Sequence, residues 1–194
     1  MLYQRISLPL QLTLIRFLGA LFVLPFFIVY LLPFNNIFIN GFVTVLFLCV
    51  GATDFLDGYF ARKYQQVTQL GATLDHLADK FLLYTTLIAL VVVHKIYFFW
   101  PIIWIGREFF IMGLRVLALE NSVQITVSSF GKSKTVAQIA CLAFIIFNPY
   151  QEWGVGAAWW NGIELSLLVL ATALSVYSAY LYALFFMLQW KEQD

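Results

Sequence analysis

The sequence has 194 residues, of which 62% are hydrophobic and 11% are charged, and its formal net charge is +1. This length fits one domain, and the apolar excess is greater than a soluble fold can bury. The small net charge gives no reason to expect a nucleic acid partner. The composition therefore predicts a polytopic membrane protein with short loops.

Hydropathy divides the chain into six candidate membrane spans. The N-terminus looks like a signal peptide, but Arg16 interrupts its apolar stretch and no small-x-small cleavage site follows. We therefore predict an N-terminal interfacial helix that leads into a retained first span. The predicted fold class is all-α, a single domain over residues 1–194 with six transmembrane helices. The expected spans are residues 8–32, 38–62, 69–93, 100–119, 130–148 and 160–188.

Lysine and arginine residues indicate the orientation of the chain in the lipid bilayer. With the N-terminus in the cytoplasm, Lys95 falls on the outer side and Arg107 falls within the fourth span. The cytoplasmic ends of the spans then carry Arg5, Arg16, Arg62, Lys63, Lys80, Arg115, Lys132, Lys134 and Lys191. This asymmetry follows the positive-inside rule, so we expect both termini in the cytoplasm.

Acidic residues are concentrated around the turn between the second and third spans. The stretch "TDFLDGYFARKYQQVTQLGATLDHLADK" contains Asp54, Asp57, Asp75 and Asp79. The first two are three residues apart and the last two are four apart, so each pair shares one face of a helix. A tight helix hairpin through residues 63–70 would bring both faces together near the cytoplasmic boundary of the membrane.

Four converging carboxylates need positive charge nearby, because repulsion and desolvation oppose the ionisation of all four. Two divalent cations would balance them, and ligands that are all oxygen favour Mg²⁺ or Mn²⁺ over zinc. In a two-metal phosphoryl-transfer site the ions lie about 3.5–4 Å apart. Gly58 and Gly71 would leave space for a ligand, and Arg62 is placed to contact a phosphate.

The same acids allow other interpretations. Isolated acids within a membrane can relay protons or pair with buried cations. A carboxylate-lined cation transporter is the alternative from a different functional class. Such a transporter would not need Gly58, Ala61, Arg62 and Gly71 at fixed positions.

The pattern D-x2-D-G-x2-A-R-x8-G-x3-D-x3-D, which begins at Asp54 and ends at Asp79, resembles the signature of the CDP-alcohol phosphotransferase family at every defined position. The resemblance implies a six-helix membrane enzyme, usually a homodimer. Such enzymes transfer a phosphatidyl group from a CDP-linked lipid to an alcohol and release CMP. The implied location is the bacterial inner membrane, with the active site facing the cytoplasm.

The resemblance also implies roles for the matching residues. Asp79 would act as the general base and also complete the metal site. The two ions, Mg²⁺ or Mn²⁺, would be held by Asp54, Asp57, Asp75 and Asp79. The nucleotide end of CDP-diacylglycerol would be held by Asp54, Gly58, Ala61, Arg62, Thr68 and Gly71.

Basic residues in the second half of the chain suggest a phosphorylated acceptor. "GREFFIMGLR" places Arg107 and Arg115 eight residues apart on one helical face, and "GKSKTVAQ" carries Lys132 and Lys134. We expect these four cations to bind the phosphate of the acceptor. The lysines could instead serve only the positive-inside rule, and Arg107 could pair with a carboxylate on another helix. Glu108 is expected to point elsewhere and to orient a neighbour.

These segments and the N-terminal "LPLQLTLIR" resemble the phosphatidylglycerophosphate synthase branch of the family, whose acceptor is sn-glycerol 3-phosphate. Serine, inositol phosphate and phosphatidylglycerol are the alternative acceptors. The chain departs from its relatives at Leu10, where they commonly have Asn, and at His76, where they commonly have Pro. We interpret His76 as a packed substitution, with metal ligation or pH-sensitive tuning of a proton as the alternatives.

Overall fold

The computed structural model describes residues 14–63, 69–121, 130–150 and 157–191, with the side chains of 54–63, 69–76, 130–132 and 191 left out. Every regular element in these ranges is a helix, which confirms the all-α prediction for the described part of the chain. The helices are α1 (Leu14–Phe34), α2 (Ile37–Lys63), α3 (Gln69–Val92), α4 (Phe99–Glu120), α5 (Phe130–Phe147) and α6 (Ala158–Lys191).

The helix ends lie close to the predicted span ends wherever the chain is described. The interfacial helix and the first residues of the first span, 8–13, fall outside the described residues. Among the described helices, two are long and apolar enough to cross a membrane by length and composition: Leu14–Phe34 and Ala158–Trp190. The apolar part of α2, Ile37–Thr53, is shorter because the acidic segment begins directly after it.

Local sequence chemistry explains how α1 ends. A π-helical turn, Gly19–Val23, precedes Pro25, which lacks the amide hydrogen that a regular helix requires. The last turn is a 3₁₀ helix, and Asn35 follows it in the left-handed conformation with φ 51°. Asn36 then caps α2 by accepting a hydrogen bond from the amide of Phe38 at 2.9 Å.

The described helices form two compact units. The first contains residues 1–95 and 143–151, and the second contains residues 96–142 and 152–194. The prediction of one domain over the whole chain stays a prediction.

In the first unit, α1 and α3 run parallel. Arg16 contacts Asp79, Phe17 packs edge-on against Phe81, and Thr85 donates a hydrogen bond to the carbonyl of residue 20. The partners in these pairs are separated by a nearly constant 63 to 65 residues along the chain, which requires two parallel helices in register. This places Arg16 and Asp79 at the same end of the pair.

At the opposite end of the first unit, the carbonyl of Asn148 is the shared acceptor of two side-chain hydrogen bonds. This oxygen accepts hydrogen bonds from Asn40 Nδ2 at 2.9 Å and from Lys95 Nζ. Lys95 also donates to the carbonyl of Tyr150 at 3.3 Å, and it is only 8% exposed. Lys95 is the lysine that departs from the positive-inside pattern. The structure shows that it is buried and donates to carbonyls just after the end of α5.

In the second unit, α4 and α6 also run parallel. Trp104 Nε1 donates to Thr172 Oγ1 at 2.7 Å, and further along both helices Ala118 packs with Phe186. Both pairs are separated by 68 residues. Alternate helices of a chain that crosses a membrane back and forth run in the same direction, and α1 with α3 and α4 with α6 meet this requirement.

Candidate active site

The signature residues lie on two helices that follow each other in the chain. Thr68 falls outside the described residues, and the side chains of the others except Asp79 are not described. The helical backbone supports the assumed 3.6-residue periodicity. The end of α2 carries Asp54, Asp57, Gly58, Ala61 and Arg62, and the beginning of α3 carries Gly71, Asp75 and Asp79.

The packing of α2 against α3 determines how far along the helix axes the acidic positions lie relative to one another. The α carbon of Gly51 faces Leu82, and a β carbon built on Gly51 would lie 3.5 Å from Leu82 Cδ2. In an antiparallel pair with this register, position 54 lies at the level of Asp79. The described backbone therefore suits convergence of the acidic positions, which remains a prediction.

Asp79 is the one signature acid whose side chain is described. Its carboxylate is 45% exposed, and its Oδ1 lies 3.9 Å from Nη1 of Arg16, whose side chain is 2% exposed. The neighbouring residues Ala78 and Leu82 are buried, so α3 holds Asp79 at the edge of a packed face. A fixed cation behind an accessible carboxylate is suited to orienting that carboxylate.

Arg16 was not predicted as a site residue, and in the sequence it served only to argue against a signal peptide and to orient the chain. A signal was present, because "LTLIR" places an arginine inside an apolar run. A cation at such a position almost always has a partner or faces the protein interior. Nothing in the sequence names Asp79 as that partner, because the two residues are 63 positions apart.

The predicted metal site rests on donor chemistry. Aspartate oxygens suit a hard divalent ion, so the predicted ligands fit Mg²⁺ or Mn²⁺. Among the described residues, no group of three or more His, Cys, Asp or Glu side chains could hold a metal ion. The predicted ligand set is not covered by this absence, because the side chains of Asp54, Asp57 and Asp75 are not described. The side chain of His76 is not described either.

A second cluster of charges lies in the other unit, around Glu108 on α4. Its Oε1 accepts hydrogen bonds from Arg107 Nη1 and from Lys134 Nζ on α5. The side chains of Arg107 and Lys134 are each only 9% exposed. A buried, ion-paired lysine is not explained by the positive-inside rule alone, because that rule concerns loop charge.

Helix α6 completes this cluster. The carbonyl of Ser175 accepts a hydrogen bond from Arg107 Nε at 3.0 Å, and Ser178 Oγ accepts one from Arg107 Nη2 at 2.5 Å. Neither serine was predicted as part of a site. Their proximity to Arg107 depends on the register of α4 against α6, which the sequence does not display.

Arg115 lies on the same side of α4 as Arg107, as predicted. Its guanidinium carbon is 5.9 Å from the ring centroid of Tyr182, a cation–π contact with α6. Eight residues of helix place it about 12 Å from Arg107 along the axis. Unlike Arg107, it is exposed. The side chain of Lys132 is not described.

Most of the chain matches one protein family. The family model described as CDP-alcohol phosphatidyltransferase matches residues 6–177. This chain belongs to the CDP-alcohol phosphatidyltransferase family. Members are membrane-associated and generally depend on a divalent metal ion. The resemblance found in the sequence is thereby confirmed.

Three curated relatives carry the name CDP-diacylglycerol–glycerol-3-phosphate 3-phosphatidyltransferase. The protein of Haemophilus influenzae is 38% identical, over 77% of this chain and 81% of its own. That of Shigella flexneri serotype 5b is 33% identical, over 90% of this chain and 92% of its own. That of Escherichia coli K12 is 36% identical, over 75% of this chain and 80% of its own.

Proposed function

We propose that this family member transfers the phosphatidyl group of CDP-diacylglycerol to sn-glycerol 3-phosphate, giving phosphatidylglycerophosphate and CMP. The observation that carries the proposal is the full eight-position signature in a chain whose relatives, at 33–38% identity, carry the name of this activity. The cations around Glu108 favour an acceptor that carries a phosphate monoester over serine and phosphatidylglycerol, although inositol phosphate would satisfy the same cations.

In the proposed reaction, a hydroxyl oxygen of glycerol 3-phosphate attacks the phosphorus next to diacylglycerol. The new oxygen–phosphorus bond replaces the bond to CMP, which leaves with its electron pair. Asp79 takes the hydroxyl proton as general base. Its accessible carboxylate and its contact with Arg16 support this role, because a base has to reach the hydroxyl in a fixed orientation.

The signature residues are proposed to hold the lipid substrate and its counterions. Two Mg²⁺ or Mn²⁺ ions would stabilise the negative charge of the diphosphate. Those ions would be held by Asp54, Asp57, Asp75 and Asp79. The CDP portion of the lipid would contact Asp54, Gly58, Ala61, Arg62, Thr68 and Gly71. Small residues at positions 58, 61 and 71 leave space for it against the helices.

The acceptor phosphate is proposed to bind Arg107, Arg115, Lys132 and Lys134. The guanidinium of Arg107 can donate two parallel hydrogen bonds to phosphate oxygens, and a lysine adds a point charge. Because these groups bind the acceptor, changes to them should act on its KM.

The proposed setting is the bacterial inner membrane, with six spans, an N-terminal interfacial helix and both termini in the cytoplasm. The parallel directions of α1 with α3 and of α4 with α6 support alternating spans. A homodimer is proposed from the family resemblance. The site would face the cytoplasm, at the headgroup level where the lipid diphosphate lies.

The test uses purified protein with CDP-diacylglycerol and a panel of alcohols, with CMP release as the readout. We expect release with glycerol 3-phosphate, loss on chelation of divalent ions, and recovery with Mg²⁺ or Mn²⁺. If CMP is released with inositol phosphate, serine or phosphatidylglycerol and not with glycerol 3-phosphate, that alcohol is the acceptor. Metal flux in proteoliposomes without CMP release would identify a cation transporter and overturn the proposal.

A further inference from the structure

One carboxylate oxygen joins two helices in the second unit. Glu108 Oε1 accepts hydrogen bonds from Arg107 Nη1 on its own helix and from Lys134 Nζ on α5. The two donors belong to residues far apart in sequence, and the shared oxygen brings their charged groups to one point. The separation of the guanidinium from the ammonium group is therefore set by Glu108.

The guanidinium is also held from α6. Arg107 Nε donates to the carbonyl of Ser175, and Nη2 donates to the hydroxyl of Ser178. Because a guanidinium is planar, contacts at three of its nitrogens fix the plane of the group. Glu108 fixes one edge of that plane, and α6 fixes the other.

The charge of the cluster suits a phosphate monoester. Arg107, Glu108 and Lys134 together carry one positive charge in excess. Their side chains are 9%, 17% and 9% exposed, so two cations without a carboxylate would be costly to bury. A phosphate monoester carries roughly −1.5 to −2 charge near neutral pH, so it is attracted to the remaining charge.

We propose that Glu108 is a positioning residue of the acceptor site. Its carboxylate holds Arg107 and Lys134 as a preformed pair, and this pair receives the acceptor phosphate. The inference rests on the proposed function, because it takes these two cations as phosphate ligands. The proposal gives Glu108, a negatively charged residue, a positioning role in a site that binds the negatively charged phosphate.

The first test is Glu108→Gln, which keeps the size of the side chain and one acceptor oxygen but removes its charge. We expect the KM for glycerol 3-phosphate to rise about tenfold, the order of one charge-assisted hydrogen bond, with the KM for CDP-diacylglycerol unchanged. Glu120→Gln is the matched control, because Glu120 is exposed at the end of the same helix. An unchanged acceptor KM in Glu108→Gln overturns the proposal.

A double-mutant cycle separates positioning from general stability. If Glu108 acts through Lys134, then Glu108→Gln should raise the acceptor KM less in a Lys134→Ala background than in the unmodified chain. Glu108→Asp keeps the charge, so its acceptor KM should fall between those of the unmodified chain and Glu108→Gln. Fully additive KM effects, together with a lower melting temperature in detergent, would assign Glu108 a structural role only.

Ser178→Ala tests the same pair if Glu108→Gln does not fold. Losing the Ser178 hydroxyl frees one end of the Arg107 guanidinium, so the acceptor KM should rise, but less than in Glu108→Gln. Ser166→Ala is its control on α6, because Ser166 is exposed and donates to the carbonyl of Gly162 in its own helix. An acceptor KM that does not move in Ser178→Ala contradicts the proposal.

The unmodified chain distinguishes the two levels of inference. If it releases no CMP with glycerol 3-phosphate, the proposed function fails. If it releases CMP but the KM for glycerol 3-phosphate is unchanged in Glu108→Gln, or in Ser178→Ala where Glu108→Gln does not fold, only the role of Glu108 fails.

Discussion

The two charged regions of the molecule are built in opposite ways. At Asp79, an accessible carboxylate lies 3.9 Å from a buried arginine. At Glu108, a carboxylate lies between two cations whose side chains are each 9% exposed. In each region the group proposed to act on substrate is held by a residue of opposite charge. The first region is arranged to present an acid and the second to present cations, so changes to the first should act on kcat and changes to the second on the acceptor KM.

The largest effect is expected at Asp79. Asp79→Asn keeps the shape of the side chain but removes the proposed base and a proposed metal ligand. CMP release should fall on the order of 10³-fold or more, because general base catalysis alone typically contributes 10²–10⁴-fold. The variant should still insert into membranes and elute as a single species in detergent. Near-normal turnover would remove the base assignment.

Arg16 should give the next largest effect, and on the same kinetic constant. Arg16→Met keeps an apolar stem but removes the charge behind Asp79, so kcat should fall by up to about 10²-fold, the cost of a small misplacement of a catalytic group. The KM for glycerol 3-phosphate should stay unchanged. Arg16→Lys should recover part of kcat. If Arg16→Met raises the acceptor KM and leaves kcat unchanged, the assignment of kcat effects to the Asp79 region is wrong.

Lys134 tests the second region directly. Lys134→Ala should raise the KM for glycerol 3-phosphate by about tenfold or more, because a charge-assisted hydrogen bond to phosphate is lost. Glu108 keeps Arg107 as a partner in this variant, so the fold should be retained. Steady-state kinetics with each substrate varied in turn would measure both KM values. A fall in kcat without a change in acceptor KM would contradict the comparison.

Arg115 should give the smallest effect of the four. It is exposed and contacts Tyr182 through a cation–π interaction, so it is screened by solvent and less firmly held than Arg107. Arg115→Ala should raise the acceptor KM only a few-fold, an order expected for an exposed charge. The effect should shrink at high ionic strength, which a salt titration of KM would detect. If neither Arg115→Ala nor Lys134→Ala changes the acceptor KM, the choice of a phosphorylated acceptor loses its basis.

Much of the fold was accessible from the sequence, because it depends on local properties. The ends of the described helices follow from hydropathy, and the turn after α1 follows from the asparagines at positions 35 and 36. The acids could be placed on two successive helices because helical periodicity fixes the spacing of residues on one face. The same stretch carries the family signature, so the sequence alone predicts the family.

The contacts that distinguish the two charged regions could not be predicted in this way. Arg16 with Asp79, and Arg107 with Ser178, join residues 63 and 71 positions apart, and each depends on which helix faces meet. An amphipathic helix reveals its inner face by its polar and apolar sides, but a helix with few polar residues shows this much less clearly. The sequence by itself determined the helices, the acidic signature and the family. Only the tertiary structure decided that Arg16 lies behind Asp79 and that Glu108 joins Arg107 to Lys134, because helix register is set by packing and leaves no periodic mark in such a sequence.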